Sequence, residues 1–347
     1  MCQNLIEKIV QRFALNLKDD ALVHSGEFVT VRPRHVMTHD NTAAVMIKFK
    51  GLGGTRMNDP KQPVFTLDHN VQDKSPENLE KYASIESFGE EMGVDFYPAG
   101  RGIGHQIMLE EGYAWPGSLV VASDSHSNVY GGIGALGTPV VRTDAAALWA
   151  TGETWWQIPP VTQVILEGEL RPQVSGKDVI VALSGIYNQD EVLNHALEFS
   201  GSGVATLSVE ERLSIANMTT EWGALAGVFP CDSTTVKWLR KCANESGRDL
   251  AADIAALEAH PLHPDDGAHY SQQIRLDLGK IVPCVCGPDT VKVMSPISDI
   301  SPHSIPIDKA YLLSCVNGRT EDFAAAAEVL EGKTIADRVE LFIAPAS

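Results

Sequence analysis

Cysteine is sparse in this chain: Cys2, Cys231, Cys242, Cys284, Cys286 and Cys315 are scattered over 347 positions. That density excludes a disulfide-stapled scaffold and points to a reducing compartment, where a special cysteine is catalytic or metal-binding. Basic residues are also short, 27 Lys+Arg against 45 Asp+Glu, for a formal charge of −18. This balance argues against nucleic acid or an anionic membrane surface as partner, because both would be repelled. It does not argue against an anionic metabolite, since a few cations reverse the potential inside one cleft. No apolar run approaches the roughly 18 to 20 residues of a membrane helix. Internal repeats and low-complexity tracts are missing too. The N-terminal MCQNLIEKIVQRFALNL has Glu7 early and little Ser or Arg, so it reads as an amphipathic helix with no visible presequence.

What is present is a 44% hydrophobic chain in which short apolar runs alternate with helical patterns. That alternation predicts an α/β fold. Strands are expected over 64–67, 118–122, 161–167, 179–182, 310–313 and 339–343. Helices are expected over 5–15, 42–49, 106–112, 144–150, 189–198, 209–223, 233–246 and 321–330. The Ile158-Pro159-Pro160 turn and the Pro-rich loop 260–277 suggest three units, 1–160, 161–278 and 279–347.

The chemistry-bearing residues concentrate between 66 and 137. Asp68-His69 follows one apolar run and Asp124-Ser125-His126 follows another, which places both at the carboxyl end of a strand, where open α/β sheets bind ligands. Between them lies Gly100-Arg101-Gly102-Ile103-Gly104-His105, whose glycines permit tight turns and close approach. An Asp that fixes an imidazole makes His a competent acid or base. Any one of these histidines could merely cap a strand; the two pairs together favour a site. Gly132-x-Gly134-x-x-Gly137 matches a dinucleotide fingerprint only formally, because no strand leads directly into it and Pro139 follows. A glycine-rich turn packed beneath the histidine loop is the better reading. Asn217 and Glu221 are four apart and share a helix face. A functional pair and a solvated face both remain open, though Met218, Trp222 and Leu225 suggest shelter. Cys315 closes an apolar strand beside a Gly turn, where a buried inert thiol is the commoner case. Cys284-x-Cys286 is too tight for the usual C-x-x-C metal knuckle.

Several long stretches carry a resemblance: VTVRPRHVMTHDNTAAVMIKFKGLG, FTLDHNVQ, YPAGRGIGHQIMLEEGYAWPGSLVVASDSHSNVYGGIGALGTPVVRTDAAALWATGETWWQIPPV and ANMTTEWGALAGVFP. Together they resemble the aconitase superfamily, and within it the fungal-type homoaconitases, along essentially the whole chain. The resemblance implies aconitase-like three-layer α/β domains, the third incomplete, and a mitochondrial hydro-lyase converting cis-homoaconitate to homoisocitrate in lysine biosynthesis. Without it the compartment would read as cytoplasmic. Asp68 and His69 match the family's pair that handles the leaving hydroxyl, and His105, Asp124 and His126 its supporting dyads. Ser125 matches a substrate-carboxylate contact. Asn217 and Glu221 match residues around the cluster-bound water and hydroxyl, and Arg319 falls in the SCVNGR motif as a substrate-binding residue. Cys315 matches the first of three cysteines holding a [4Fe–4S] cluster. The family's other two ligands form a C-x-x-C beyond the segment resembling VELFIAPAS, and its swivelling last domain lies further on. The expectation is therefore a chain stopping short of a complete cluster, with a second chain as one source of the missing domain. Two other readings remain. One is a short paralogue using the Asp/His site without metal, or with a single ion, for a different isomerisation or elimination. The other is a non-catalytic carboxylate-binding module.

Overall fold

The computed structural model describes residues 2–18, 20–303 and 305–347. The site-bearing part is a five-stranded sheet, parallel throughout, with the spatial order Asp95–Tyr97, Pro63–Thr66, His35–Thr38, Leu119–Ala122, Leu136–Pro139. The first three strands in sequence step outward from His35–Thr38 on one side. The next two step outward on the other side. The order thus reverses between His35–Thr38 and Leu119–Ala122, and the crevice at that reversal is where such sheets bind ligands. Strand residues Val36, Val64, Phe65, Val120 and Val121 are all buried, as expected of a sheet covered on both faces. Over one face Phe65, Phe88 and Trp149 pack together, with ring centroids of Phe65 and Trp149 4.9 Å apart.

A second parallel sheet runs Ala226–Val228, Ala196–Ser200, Val161–Glu167, Gln272–Asp277. It meets the first through a glycine-rich 3₁₀ segment, Ser127–Ile133, against which helix Val209–Asn217 lies. A Cβ on Gly131 would fall on the Gly227 carbonyl, and one on Gly132 would lie 2.7 Å from the Leu213 backbone. Glycine is required there for backbone contact, so the formal fingerprint is a packing device. One apolar cluster includes Leu119 and Leu136 of the first sheet with Val161, Ala196 and Val228 of the second, so residues on both sides of position 160 share a core. The remaining strands form three small sheets. In one, Lys309–Leu312 and Glu340–Ile343 pair in parallel around helix Thr320–Leu330.

Three sequence expectations are corrected. Residues 179–182, expected as a strand, lie inside helix Gly176–Ile186. Asp178 starts it by accepting the backbone N–H and hydroxyl of Ser175 at 2.8 and 3.1 Å, and Val179 to Leu183 are buried on every side. An all-round buried helix has no amphipathic period to distinguish it from a buried strand. Residues 189–198, expected as a helix, form a turn and then strand Ala196–Ser200, because Asp190 and Asn194 take left-handed φ of 64° and 59°. The expected 209–223 helix is broken into Val209–Asn217 and Thr219–Trp222, which presents Asn217 and Glu221 from two elements. No helix among the described residues is long and apolar enough to cross a membrane.

Candidate active site

Three strand ends converge at the topological switch. His35–Thr38 delivers His39-Asp40-Asn41, Pro63–Thr66 delivers Asp68-His69, and Leu119–Ala122 delivers Ser123 to His126. The centre of the arrangement is Asp124. Its Oδ1 accepts from His105 Nε2 and from the backbone N–H of His126, both at 2.8 Å, and its Oδ2 lies 3.4 Å from His69 Nε2. Burial alone would raise its pKa, but hydrogen bonds from His105, His126 and His69 overcome that and hold the carboxyl well below the usual range. Asp124 is a fixed anion.

His69 is clamped from its other nitrogen, with Nδ1 2.6 Å from Asp68 Oδ1. The two carboxylates, Asp124 first and Asp68 second, push the imidazole up to about 10, so it is a cation at neutral pH. Asp68 is in turn fixed by the Gly104 N–H at 2.6 Å, and a Cβ at Gly104 would collide with the Thr66 hydroxyl. His105 is buried, with Nδ1 2.9 Å from the Tyr130 hydroxyl. Burial first, then nearby carboxylates, raise Tyr130 well above its ordinary value, so the phenol keeps its proton. His105 Nε2 is then the N–H that serves Asp124. His126 reaches the opposite way, its Nε2 2.7 Å from Glu221 Oε1. Asp124 and Glu221, in that order, push it up to about 10. Thr220 ties this wall together by donating to the Ser125 carbonyl at 2.8 Å, which leaves the Ser125 side chain exposed at the mouth.

Asn217 is fully buried, and its amide N–H donates to Cys315 Sγ at 3.4 Å. Its Oδ1 finds no partner, nor does Glu221 Oε2. Cys315 is presented from a strained turn, with Ser314 at φ 103°. Arg319 anchors that turn: its guanidinium donates to the carbonyls of Val316 at 2.8 Å and Cys315 at 3.0 Å. Two of its nitrogens are thus directed at the Cys315 loop, and its Nε has no partner among the described residues.

Sequence reasoning missed His39 and Asp40. His39 stacks on His69 with ring centroids 3.9 Å apart. Burial, then the His69 charge, lowers its pKa, so it is the neutral face against a cationic ring. Asp40 accepts the backbone N–H of Asp68, His69 and Asn70 at 2.9, 2.8 and 3.1 Å, and the Tyr82 hydroxyl. The signal was an apolar strand followed by His-Asp, the same pattern that marked Asp68-His69. It went unread because 35–38 is short and was not recognised as a strand.

Paired Asp/His groups at the switch point of a parallel α/β scaffold make this a candidate acid–base site. The profile of the aconitase family, described as aconitate hydratase, matches residues 7–347, and the chain belongs to that family. It is 57% identical to the mitochondrial homoaconitase of Eremothecium gossypii, over 99% of this chain and 52% of that protein. Against the mitochondrial homoaconitases of Yarrowia lipolytica and Mycosarcoma maydis the identities are 56% and 55%, over 99% of this chain and 51% and 49% of theirs. The chain spans about half the length of the curated relatives it matches.

Family membership implies a [4Fe–4S] cofactor. Such clusters are held by several thiolates, and among the described residues Cys315 is the one thiol hydrogen-bonded to a site residue. Cys284 is turned to Asp178, with its backbone N–H on that carboxylate at 2.9 Å, and burial followed by that carboxylate pushes its thiol up to about 12. Cys231 and Cys242 are likewise raised, chiefly by burial, to about 11 and 12. Each of these thiols would have to lose its proton to ligate iron, and Cys284 Sγ already serves the Asp178 carbonyl at 3.6 Å. The residues present do not by themselves fit a cluster.

Proposed function

We propose that this chain supplies the acid–base half of a homoaconitase-type hydro-lyase that acts on a small polycarboxylate in mitochondria. The observation that carries the reading is the convergence of His69, His105 and His126 on the single carboxylate of Asp124. Removal of water across a C–C bond needs a proton delivered to the departing hydroxyl and a base for the carbon-bound proton. His69, cationic and oriented by Asp68, suits delivery. Glu221, with one carboxylate oxygen bonded to His126 and the other unpartnered, can accept or relay a proton. Asn217 and Arg319 position Cys315, the one thiolate this chain would offer a cluster. A cluster bound there takes its other thiolates from outside the 347 residues, from a continued polypeptide or from a second chain. The domains serve accordingly: 1–160 carries the Asp/His groups, 161–278 supplies Asn217 and Glu221, and 279–347 supplies Cys315.

The test is hydration of cis-homoaconitate under anaerobic conditions with iron and sulfide, by this chain alone and mixed with the complementary half of the Yarrowia lipolytica homoaconitase. Turnover in the mixture that Asp68→Asn abolishes supports the reading. A mixture that assembles, binds iron and remains inactive overturns the function, and full turnover by the chain alone overturns the incomplete-ligand conclusion.

A further inference from the structure

We propose that Tyr130 is a positioning residue of the acid–base array: its hydroxyl donates to His105 Nδ1, so His105 is held as a neutral imidazole whose single proton faces Asp124. The kinetic consequence rests on the hydro-lyase reading above; the hydrogen-bond arrangement does not. Tyr130 and His105 come from different elements, the 3₁₀ segment Ser127–Ile133 and helix Gly104–Glu110, and their rings meet edge to face with centroids 5.4 Å apart. The phenol oxygen lies 2.9 Å from Nδ1, and Nε2 of the same imidazole lies 2.8 Å from Asp124 Oδ1.

Packing alone gives no reason for a hydroxyl at position 130. The side chain is fully buried in an apolar cluster with Met37, Val64, Met108, Val129 and Leu213, where phenylalanine would fill the same space. The backbone around it is shaped by glycine. Gly131 and Gly132 sit against the Gly227 carbonyl and the Leu213 backbone, and a Cβ at Gly137 would lie 3.0 Å from Tyr130 Cδ2. The glycine run that matched a dinucleotide fingerprint only formally thus seats this side chain against His105.

The buried hydrogens admit one arrangement. Among the described residues His105 Nδ1 is the one hydrogen-bond partner of the Tyr130 hydroxyl, and burial keeps the phenol protonated. Were Nδ1 to carry a proton as well, two donors would face each other and the phenol hydrogen would have no acceptor, which buried polar groups avoid. Nδ1 is therefore the acceptor, and the one ring proton stands on Nε2, where Asp124 accepts it. A neutral donor fixes the Asp124 carboxylate without cancelling its charge. That charge acts instead on His69 and His126, the two imidazoles it helps to hold as cations.

The test is nitrogen NMR of the whole chain with labelled histidine at neutral pH, the His105 signals being assigned by their loss in His105→Gln. The unsubstituted chain is expected to show His105 with Nε2 protonated and Nδ1 unprotonated and hydrogen-bonded. In Tyr130→Phe the Nδ1 signal should move to that of an imine nitrogen without a donor. A proton on Nδ1 in the unsubstituted chain, or an Nδ1 signal unmoved in Tyr130→Phe, overturns the proposal. In the mixture with the complementary half of the Yarrowia lipolytica homoaconitase, Tyr130→Phe should lower kcat about ten-fold, the worth of about one hydrogen bond, and leave KM unchanged. It should cost nothing further in a His105→Gln background, because its effect runs through that imidazole. An equal loss in both backgrounds shows that the ring acts through packing and overturns the positioning role. A mixture inactive even with the unsubstituted chain overturns the hydro-lyase reading and the kinetic role with it, while the nitrogen signals still decide the hydrogen-bond arrangement.

Discussion

The carboxylate of Asp40 accepts the backbone N–H of His69 at 2.8 Å, so the imidazole beside Asp124 is positioned through its main chain as well as its ring. The same carboxylate takes the N–H groups of Asp68 and Asn70. Burial would raise Asp40, but the Tyr82 hydroxyl and these amides outweigh it and lower its pKa. Asp40→Asn keeps the shape and removes the charge that three amides share. The expected loss is about 1.5–3 kcal/mol of stability, the range for hydrogen bonds to a charged group, read by urea unfolding. An unchanged midpoint would show that the Asp68-His69 loop is held by something else.

Glycine 131 tests the packing that brings the two sheets together. Gly131→Ala drives a methyl group into the Gly227 carbonyl, where backbone has no rotamer to escape. Overpacking of this kind costs about 1–3 kcal/mol. Gly51→Ala, with nothing within 4 Å of the added carbon and a helical position, is expected to be neutral or stabilising by up to about 1 kcal/mol. Thermal denaturation of the two variants side by side gives opposite signs if the backbone contact is real.

Glu198 sets a pH dependence away from the site. It is buried on strand Ala196–Ser200, accepting from the Leu5 N–H and the Tyr270 hydroxyl, both at 2.7 Å. Burial pushes it up to about 7, against the pull of those hydrogen bonds. The folded chain therefore holds a proton that the unfolded chain, near 4.5, has released. Its contribution to stability is full below that lower value and is lost as pH rises through about 7. Glu198→Gln should flatten the fall in unfolding free energy across that window, and a slope identical to that of the unsubstituted chain would contradict it.

Arg319 separates two roles. Its guanidinium is buried on the carbonyls of Cys315 and Val316, so Arg319→Met should destabilise the chain by about 2–4 kcal/mol through unpaired carbonyls and lost charged contacts. Polycarboxylate affinity of the folded fraction should hold. A large loss of affinity without loss of stability would assign Arg319 to the substrate.

Much of the site was legible because its residues follow apolar strands directly. Asp68-His69 and Asp124-Ser125-His126 each mark a strand end, and position alone sent them to the ligand-binding edge. Convergence on Asp124 was not legible: which strands are neighbours follows from the reversal in sheet order, and that depends on contacts between residues far apart in sequence. His39 and Asp40 were hidden by the four-residue length of His35–Thr38. Residues 179–182 and 189–198 were misread for opposite reasons, a β-branched run inside a buried helix and a helical-looking segment broken by left-handed Asp190 and Asn194. Arg319 was singled out by its motif, but the direction of its side chain depends on how the Cys315 turn folds.

The most direct test of an acid–base array centred on Asp124 is nitrogen NMR of the histidine side chains across a pH titration. His69 and His126 should stay doubly protonated until about 10 in the unsubstituted chain. In Asp124→Asn both should fall toward the ordinary value of about 6.5, while His105 loses the partner of its Nε2 proton. Titration of His69 and His126 near that ordinary value in the unsubstituted chain, unmoved by Asp124→Asn, would contradict the arrangement and the chemistry assigned to it.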